Sequence, residues 1–422
     1  MKIAIIGSGI AGNVVAHHLH REHNITVFEA NSHIGGHSHT HTVEQAGQCY
    51  RVDTGFIVFN ERTYPQFSAL LRELGVASRA SSMSFSVRDD RTGLEYNGTS
   101  LNTLFAQRRN LLRPSFLAMV RDILRFNRAA AAFVREGGED MPLSEFLARG
   151  NYGRAFIEHY VVPMGAAIWS TDPTSMLSFP ARFFLRFLDN HGMLSVNDRP
   201  QWRTVCGGSA NYVERLCAPY RARILLNTPV QSVRRLANKV FVKARGFDSV
   251  PYDAVFFACH SDQALALLSD ASAQERDVLS AIRYQRNEAV LHTDTSLLPK
   301  RRLAWAAWNY HAQAQSDGPV ALTYNMNILQ GLTAPEPLLV TLNRSDKIAP
   351  AKVLQRITYH HPLFTQASVT AQARQREING VQGSYFCGAW WRNGFHEDAV
   401  VSALAAVQHF QSDITSQQRR AA

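Results

Sequence analysis

A glycine-rich turn near the amino terminus constrains the fold of this chain more than any other feature. The segment KIAII (2–6) has the continuous apolar character of a buried parallel strand, and residues 13–21 predict the helix that follows. ITVFEA (25–30) predicts a second buried strand. The glycines between the first strand and the helix, in the pattern G-x-G-x-x-G, are Gly7, Gly9 and Gly12. Strand, turn, helix and strand within 30 residues predict a βαβ unit.

The spacing of these glycines and of one acidic residue predicts a dinucleotide site. The first glycine permits the tight turn, the second lets a pyrophosphate approach the backbone, and the third lets helix and strand pack closely. Glu29 ends the second strand, where a carboxylate accepts hydrogen bonds from an adenosine ribose and disfavours a 2′-phosphate. Because this side chain is expected to face the ligand, its removal is expected to leave the fold intact. The candidate residues are Gly7, Ser8, Gly9, Ile10, Ala11, Gly12, Glu29 and Ala30.

A second glycine pair extends the first motif. Gly35 and Gly36 come after the second predicted strand, and His37 and Ser38 follow them. This extended pattern resembles the amine oxidase and phytoene desaturase superfamily of flavoproteins, in which the pair lets the backbone pass close to the ribityl and pyrophosphate groups. The resemblance implies noncovalent FAD as the cofactor. Arg is the usual residue after the pair, so His37 implies a backbone contact there rather than a charged one.

Three later segments resemble the same superfamily at matching places. RVDTGFIVFN (51–60) resembles the segment against the flavin ring, TPVQSV (228–233) the strand that meets the adenine, and YFCGAWWRNGFHEDAVVSAL (385–404) the closing motif. In that motif a helix start points its amides at the flavin, which carries negative charge when reduced. The implied contact residues are Gly55, Phe56, Ile57, Val230, Gly388, Ala389, Phe395 and His396. The resemblance implies a buried thiol at Cys387 rather than a covalent flavin bond.

Two segments resemble a narrower group within the superfamily. HTDTSLLPKRRLAWAAWNY (292–310) and GFHED (394–398) are similar to a bacterial subgroup described as predicted NAD/FAD-binding proteins. Relatives in that subgroup are often encoded beside cyclopropane-fatty-acyl synthases and similar lipid-modifying enzymes. The resemblance therefore implies a lipid as the substrate class.

The length of 422 residues exceeds what one hydrophobic core usually organises, so two domains are expected. The predicted fold is α/β: an FAD-binding, Rossmann-like domain with three layers, interleaved with an α+β substrate domain that has an antiparallel sheet. The FAD-binding domain is assigned to residues 1–80, 200–285 and 360–422. The substrate domain is assigned to residues 81–199 and 286–359.

These features predict an FAD-dependent oxidoreductase that acts on a small hydrophobic or lipid substrate, by hydride abstraction and desaturation of a fatty acyl chain. An amine or amino-acid oxidase is one alternative, although NEAVLHTD (287–294) lacks the lysine that amine oxidases typically place near the flavin. A protein that uses FAD structurally, or for isomerisation or hydration, is another. The catalytic residue is not assigned. Aromatic residues that could line the flavin pocket, or belong to the core, are Phe56, Trp305, Trp308, Tyr310, Trp390 and Trp391.

Histidines and cysteines give no metal or disulfide framework. His33, His37, His39 and His41 lie close together, but no carboxylate or cysteine sits at ligand spacing, so no metal is predicted. The five cysteines form no CxxC pair, which suits a reducing cytoplasm. The sequence shows no targeting segment and no stretch of roughly 20 apolar residues.

The net charge of +10 favours contact with polyanions or acidic lipid. No recognition motif for nucleic acid accompanies the charge, so nucleic acid is not expected as a partner. Residues 108–135 interleave arginines with apolar residues at helical spacing, and Arg121, Arg125 and Arg128 share one predicted face. That face is either an ordinary solvated surface or a basic amphipathic surface that rests on anionic lipid. A cytoplasmic protein, with or without peripheral contact to the inner membrane face, is expected; the sequence leaves the oligomeric state open.

Overall fold

The computed structural model describes residues 1–195, 198–312 and 320–421, and its strands belong to five sheets. The strands are β1 (Lys2–Ile6), β2 (Asn24–Phe28), β3 (Thr40–Gln45), β4 (Gln48–Asp53), β5 (Val58–Asn60), β6 (Ser78–Ala80), β7 (Phe85–Asp89), β8 (Leu94–Asn97), β9 (Trp202–Val205), β10 (Ile224–Leu225), β11 (Val230–Leu236), β12 (Lys239–Ala244), β13 (Val250–Tyr252), β14 (Ala254–Phe257), β15 (Arg283–His292), β16 (Trp308–Ala312), β17 (Leu322–Asn325), β18 (Leu339–Leu342), β19 (Val353–Leu363) and β20 (Ser384–Phe386).

The helices are α1 (Ile10–Leu19), α2 (Pro65–Glu73), α3 (Leu101–Leu104), α4 (Pro114–Glu136), α5 (Leu143–Arg149), α6 (Arg154–Phe156), α7 (Val162–Trp169), α8 (Ala181–Asn190), α9 (Ala210–Cys217), α10 (Ser261–Leu267), α11 (Ala273–Ser280), α12 (Met326–Leu329), α13 (Gln366–Gln372), α14 (Gln375–Ile378) and α15 (His396–Ala421). Six consecutive helices, α3 to α8, lie between residues 101 and 190, and the others are distributed along the described chain. A π-helical turn, Ile157–Val161, joins α6 to α7.

A parallel sheet with the strand order β10-β2-β1-β14-β20 forms the centre of a three-layer unit. Alternate side chains of β1 point to opposite faces of this sheet. Ile3 and Ile5 pack with α1 and α15 on one face. Ala4 and Ile6 pack on the other face with the three-stranded sheet of β11, β12 and β13. Both faces are covered, which explains the continuous apolar sequence of β1 and confirms the predicted α/β class.

A seven-stranded sheet with the order β19-β15-β18-β17-β16-β7-β8 forms the second large unit. Its neighbours are antiparallel except for β16 and β7, which run parallel. Val87, Tyr310 and Leu322 of this sheet pack into one core with side chains of α4, α7 and α8. Antiparallel strands and helices therefore occur together here, as the sequence predicts. The division into two domains at the assigned boundaries stays a prediction.

The first helix begins before its predicted start. It starts at Ile10 rather than at residue 13, so its first turn follows Gly9 directly. The segment 302–310 is a 3-10 turn at Arg302–Ala304 followed by β16. The last helix runs from His396 to Ala421. Within the described part of the chain, no helix is both long enough and apolar enough to cross a membrane.

Candidate active site

A cavity of about 1050 Å³ lies where the carboxyl ends of the parallel strands meet the seven-stranded sheet and α7 and α8. Seventeen of the twenty residues that the sequence assigns to the cofactor line it. They are Gly7, Gly9, Ile10, Ala11, Glu29, Ala30, Gly35, Gly36, His37, Gly55, Phe56, Ile57, Val230, Gly388, Ala389, Phe395 and His396. Parallel strands place their carboxyl ends at one edge of a sheet, and that edge is the usual ligand site of such folds.

The other three assigned residues, Ser8, Gly12 and Ser38, lie behind the wall of the cavity. Ser8 is fully buried. A methyl group on Gly12 would come within 2.0 Å of the Gly7 carbonyl oxygen, so this glycine serves helix packing. Ser38 Oγ is 2.5 Å from Tyr212 Oη. These side chains support the residues that face the cavity.

The glycine turn leaves open space and free amides beside Gly9. A Cβ built on Gly9 meets no atom within 4 Å, because the residue faces the cavity. Gly9 caps α1 without a side-chain hydrogen bond, and the first turn of α1 contains no acidic residue. The amides at this helix start are therefore available to an anion. The space and the donors fit the pyrophosphate of a dinucleotide.

The second glycine pair packs directly against the first turn. Gly35 N donates to Ser8 O at 2.9 Å, and Gly35 forms an isolated parallel bridge with Gly9. A Cβ on Gly36 would lie 3.3 Å from Gly9 Cα, and its φ of +58° is one that side chains rarely adopt. The two glycine motifs therefore form one continuous backbone surface.

Glu29 has a structural role that the sequence does not predict. Its Oε2 accepts hydrogen bonds from Ser8 N at 2.9 Å and from Ser8 Oγ at 2.6 Å. Its Oε1 accepts from the backbone and the side-chain amide of Asn31, both at 2.9 Å. The side chain lines the cavity but is only 5% exposed. The expectation that its removal leaves the fold intact is therefore revised, because Glu29 also fixes the glycine turn.

The closing segment brings the start of α15 to the cavity. Gly388 N donates to Ser402 Oγ at 3.1 Å, which attaches the glycine to the second turn of this helix. Phe395, His396 and Ala399 line the cavity. Asp398 Oδ2 accepts from Phe395 N at 2.9 Å, and burial raises the pKa of this carboxyl to about 6. The helix start thus faces the place where the sequence predicts the flavin.

Tyr359 and His361 of β19, which the sequence analysis did not assign, form another wall together with His37. His37 stacks on Tyr359, with ring centroids 4.7 Å apart, and lies 5.4 Å from the ring of His361. Burial lowers the pKa of His37 and of His361 to about 3, so both rings are neutral at neutral pH. Asn287 Nδ2 lies 2.8 Å from His361 Nδ1. The strand that carries Tyr359 and His361 contains no motif, and only its pairing with β15 places it here.

The aromatic candidates of the sequence analysis divide between cavity and core. Phe56, Trp308 and Trp390 line the cavity. Trp391 is buried in the core beside Trp390, and Tyr310 belongs to the core of α4, α7 and α8. Trp305 Nε1 donates to Pro299 O at 2.7 Å, away from the cavity.

Charged side chains are scarce in the cavity. Among the described residues that line it, Glu29 is the only carboxylate and Arg356 the only guanidinium. Arg356 lies 3.3 Å from Glu288 and is half exposed. Apolar and aromatic side chains from α7, α8, β9, the seven-stranded sheet and adjoining loops line much of the rest of the cavity. They include Met83, Ile168, Trp169, Phe187, Met193, Trp202, Trp308 and Tyr324.

The clustered histidines near the glycine pair stack on one another. The rings of His33 and His39 are 3.9 Å apart, and those of His39 and His41 are 4.1 Å apart. Burial and the neighbouring imidazoles lower the pKa of His39 to about 4. In the described parts of the chain, no three His, Cys, Asp or Glu side chains are placed to hold a metal ion.

The described residues fit FAD at several independent points. The space beside Gly9 and the amides of α1 suit the pyrophosphate, and Glu29 lies beside them. His37 Nε2 is buried and has no hydrogen-bond partner among the described residues, so a polar group of a ligand can satisfy it. The cavity extends from this turn to the start of α15, which suits an extended cofactor.

The fold and this cavity define the chain as an FAD-dependent oxidoreductase. The profile of flavin containing amine oxidoreductases matches residues 10–296, and the chain belongs to that family. A comparison with curated proteins gives no match.

Solved structures of flavoproteins share the fold over nearly the whole chain. A proposed protoporphyrinogen oxidase from an Exiguobacterium species matches with a TM-score of 0.72 at 19% identity, covering 98% of this chain and 99% of the other. A fatty acid isomerase from P. acnes that produces CLA matches with a TM-score of 0.67 at 16% identity, covering 97% of this chain and 98% of the other. Cyclohexylamine oxidase from Brevibacterium oxydans matches with the same TM-score and identity, covering 97% of this chain and 99% of the other. At these identities the likeness concerns the fold.

Proposed function

We propose that this oxidoreductase acts on a hydrophobic substrate, with a fatty acyl chain as the substrate class. The observation that carries the proposal is the composition of the cavity wall. Away from the glycine turn the wall consists mainly of apolar and aromatic side chains, with a few polar ones such as Ser170, Gln355 and Thr358. Burial keeps the imidazoles of His37 and His361 neutral. An acyl chain enclosed there leaves water without placing a charge in an apolar environment.

The same wall argues against an amine as the substrate. An amine is a cation at neutral pH, and an ammonium enters a buried site readily only if a carboxylate or another strong acceptor compensates the lost water. Glu29 is the only carboxylate among the described lining residues, and it already accepts four hydrogen bonds from Ser8 and Asn31. The amine or amino-acid oxidase is therefore the weaker alternative.

FAD supplies a hydride acceptor when bound. The role of the protein is to hold the cofactor through the glycine turn and the start of α15. It also encloses the reacting carbon between apolar rings that exclude water. The cofactor contacts assigned above, from Gly7 to His396, remain part of this proposal.

A second candidate reaction is isomerisation of a fatty acid double bond without net oxidation. A fatty acid isomerase has the same fold over the whole chain. An apolar cavity suits either reaction, because both act on the hydrocarbon part of the substrate. The two differ in whether electrons leave the substrate.

Anaerobic mixing tests the proposal. FAD-loaded protein is mixed without oxygen with palmitate, oleate, linoleate, putrescine or cyclohexylamine, while the visible flavin absorbance is followed and the products are analysed by mass spectrometry. Bleaching by a fatty acid with loss of two hydrogens supports desaturation. An isomer of unchanged mass without lasting bleaching supports isomerisation. Bleaching by the amines alone contradicts the proposal.

A further inference from the structure

A patch of exposed leucines and basic residues covers one surface near α3 and α4. Among the described residues eleven large apolar side chains are exposed, and six of them lie on this patch. They are Leu101 (77% exposed), Leu111 (49%), Leu112 (87%), Leu117 (44%), Leu124 (48%) and Leu303 (40%). Single exposed leucines are ordinary, but a group of them on one surface marks an interaction site. We call this patch the leucine–arginine surface.

Two segments distant in the sequence form this surface together. The 3-10 turn Arg302–Ala304 lies against α3 and β8. Glu95 of β8 accepts hydrogen bonds from Lys300 N at 2.7 Å and from Arg301 N at 3.1 Å, which fixes the turn in place. Arg109, Lys300 and Arg301 line one polar depression of about 370 Å³, which Arg88 and the carboxylates Asp89, Asp90 and Glu95 also line. The leucines and the cations are therefore neighbours in space, held on ordered elements.

The surface is strongly basic. Residues 98–135 contain seven arginines and one acidic residue, and residues 295–307 contain Lys300, Arg301 and Arg302 with no acidic residue. The single acid, Asp122, has a side chain only 2% exposed and lies 2.8 Å from Arg125. Positive charge therefore predominates on these two segments, while Asp90 of the adjoining depression is 38% exposed and pairs with Arg88.

The exposed stripe of α4 alternates leucine with arginine. Residues at spacings of three and four share one face of a helix, and Leu117, Arg121, Leu124 and Arg128 follow that spacing and are all exposed. Phe116, Met119 and Phe126 of the same helix are buried in the core.

The structure corrects one part of the basic face that the sequence predicts. Arg125 donates to Asp122 Oδ1 at 2.8 Å and to Gly150 O at 3.0 Å, and its guanidinium lies over the ring of Tyr152. Arg125 therefore braces α4 against α5 and α6, while Arg121 and Arg128 remain on the exposed stripe.

We propose that the leucine–arginine surface rests on an anionic lipid bilayer. The leucines enter the boundary between headgroups and acyl chains, and the arginines and Lys300 pair with acidic headgroups. A second copy of this chain does not suit the surface, because the positive charges of one copy would face those of the other. Nucleic acid would pair with the cations but would leave the leucines in water.

Vesicle sedimentation of the purified full-length protein tests the proposal. Vesicles of phosphatidylcholine alone are compared with vesicles that also contain phosphatidylglycerol, at low and at high salt. Binding is expected to the anionic vesicles and should decrease with salt, because exposed charges are screened over about 10 Å at 0.1 M. Equal recovery with both vesicles, or recovery with neither, overturns the proposal.

Paired variants locate the binding surface. R121Q/R128Q should weaken binding roughly 25-fold, since each cation near an acidic surface contributes about fivefold. L112S/L117S should also weaken it, because these leucines no longer enter the bilayer. The matched controls R245Q/R276Q and L236S replace exposed residues elsewhere and should bind as wild type.

FAD content and thermal melting confirm that each variant is folded. If the surface variants bind vesicles as well as the controls do, the leucine–arginine surface is not the lipid-binding surface. Sizing chromatography without lipid gives an independent check. A self-associated wild type that L112S/L117S converts to monomers assigns the surface to a second copy of the chain and overturns the proposal.

Discussion

The imidazole of His396 stacks on the ring of Phe56, with ring centroids 3.7 Å apart and planes 10° from parallel. His396 Nε2 also lies 2.7 Å from Tyr212 Oη, which lies 2.5 Å from Ser38 Oγ. Burial lowers the pKa of His396 to about 3, so its neutral ring can accept a hydrogen bond from the Tyr212 hydroxyl. The Tyr212 oxygen can in turn accept a hydrogen bond from the Ser38 hydroxyl. Three segments that the sequence assigns to the cofactor are thus joined by one buried contact chain.

Gly9→Ala should impair FAD binding without disturbing the fold. The new methyl group meets no protein atom within 4 Å but occupies the space proposed for the pyrophosphate. Overpacking costs about 1–3 kcal/mol, so the FAD dissociation constant should rise about 5- to 150-fold. Titration of apoprotein with FAD measures it. Gly98→Ala is the matched control, since its methyl group also meets nothing within 4 Å but lies outside the cavity. Equal affinity of both variants would place the pyrophosphate elsewhere.

Gly12→Ala should destabilise the apoprotein, in contrast to Gly9→Ala. The methyl group would lie 2.0 Å from Gly7 O, so α1 must move away from β1. Thermal melting of the apoprotein checks this. An unchanged melting temperature would show that the helix can shift at little cost.

Glu29→Gln should weaken both the glycine turn and FAD binding. The substitution keeps the shape of the side chain but removes its charge. Its carbonyl oxygen can still accept from the donors of one partner, Ser8 or Asn31, but the NH2 group that replaces the other oxygen cannot accept from the second. A hydrogen bond to a charged group contributes about 1.5–3 kcal/mol, so the apoprotein should lose at least that amount. Denaturant unfolding of the apoprotein and FAD titration separate the two effects. A loss of FAD affinity with unchanged unfolding would return Glu29 to the purely ligand-facing role predicted from the sequence.

Acidification from pH 7 to pH 5 should destabilise the protein. Burial lowers the pKa of several histidines to about 3 or 4, so between those values and 6.5 the unfolded chain binds protons that the folded chain does not, and stability falls as pH falls. They are His37, His39, His191, His260, His292, His361 and His396. Asp53 and Asp398 act in the opposite direction, because burial raises the pKa of each to about 6.

His292 allows the pH effect to be measured away from the cavity. It is fully buried, its pKa is lowered to about 4, and it accounts for about 2 kcal/mol of the loss between pH 7 and pH 5. Denaturant unfolding of His292→Gln at both pH values should therefore show a loss smaller by about that amount. The same loss in wild type and variant would mean that His292 takes up its proton in the folded state as well.

Glu275→Ala should cost about 3–5 kcal/mol of folding free energy, because it leaves a buried guanidinium without its main partner. Arg235 Nη2 donates to Glu275 Oε2 at 2.9 Å, and the two side chains are 3% and 1% exposed. Denaturant unfolding measures the cost. Asp277→Ala, on the same helix, removes an exposed partner of Arg374 and should cost less than about 1 kcal/mol. Equal costs would show that burial does not determine how much the Arg235–Glu275 ion pair contributes to the free energy of folding.

Local patterns in the sequence predicted residues that the structure brings together around one cavity, and their contacts with the cofactor stay a prediction. The glycines at positions 12 and 36 reflect close backbone contacts, and Gly9 leaves open space at the cavity, so the spacing can be interpreted without knowledge of the fold. The apolar strands β1 and β2 and the closing glycine Gly388 are local in the same sense. The start of the first helix was less predictable. It begins at Ile10, inside the glycine motif itself, rather than after it at residue 13.

The wall that β19 contributes to the cavity depended on tertiary structure. Tyr359 and His361 lie on a strand without any motif, and the pairing of β19 with β15 alone brings them beside His37. The structural role of Glu29, in addition to its predicted contact with the ligand, could not be predicted either. The groups that donate to it, on Ser8 and Asn31, are identified only once the turn is folded. The sequence by itself determines features that need particular residues at short spacing, such as the glycine turn of residues 7–12. Contacts between distant strands depend on packing of the whole chain, and many side chains satisfy that packing equally well.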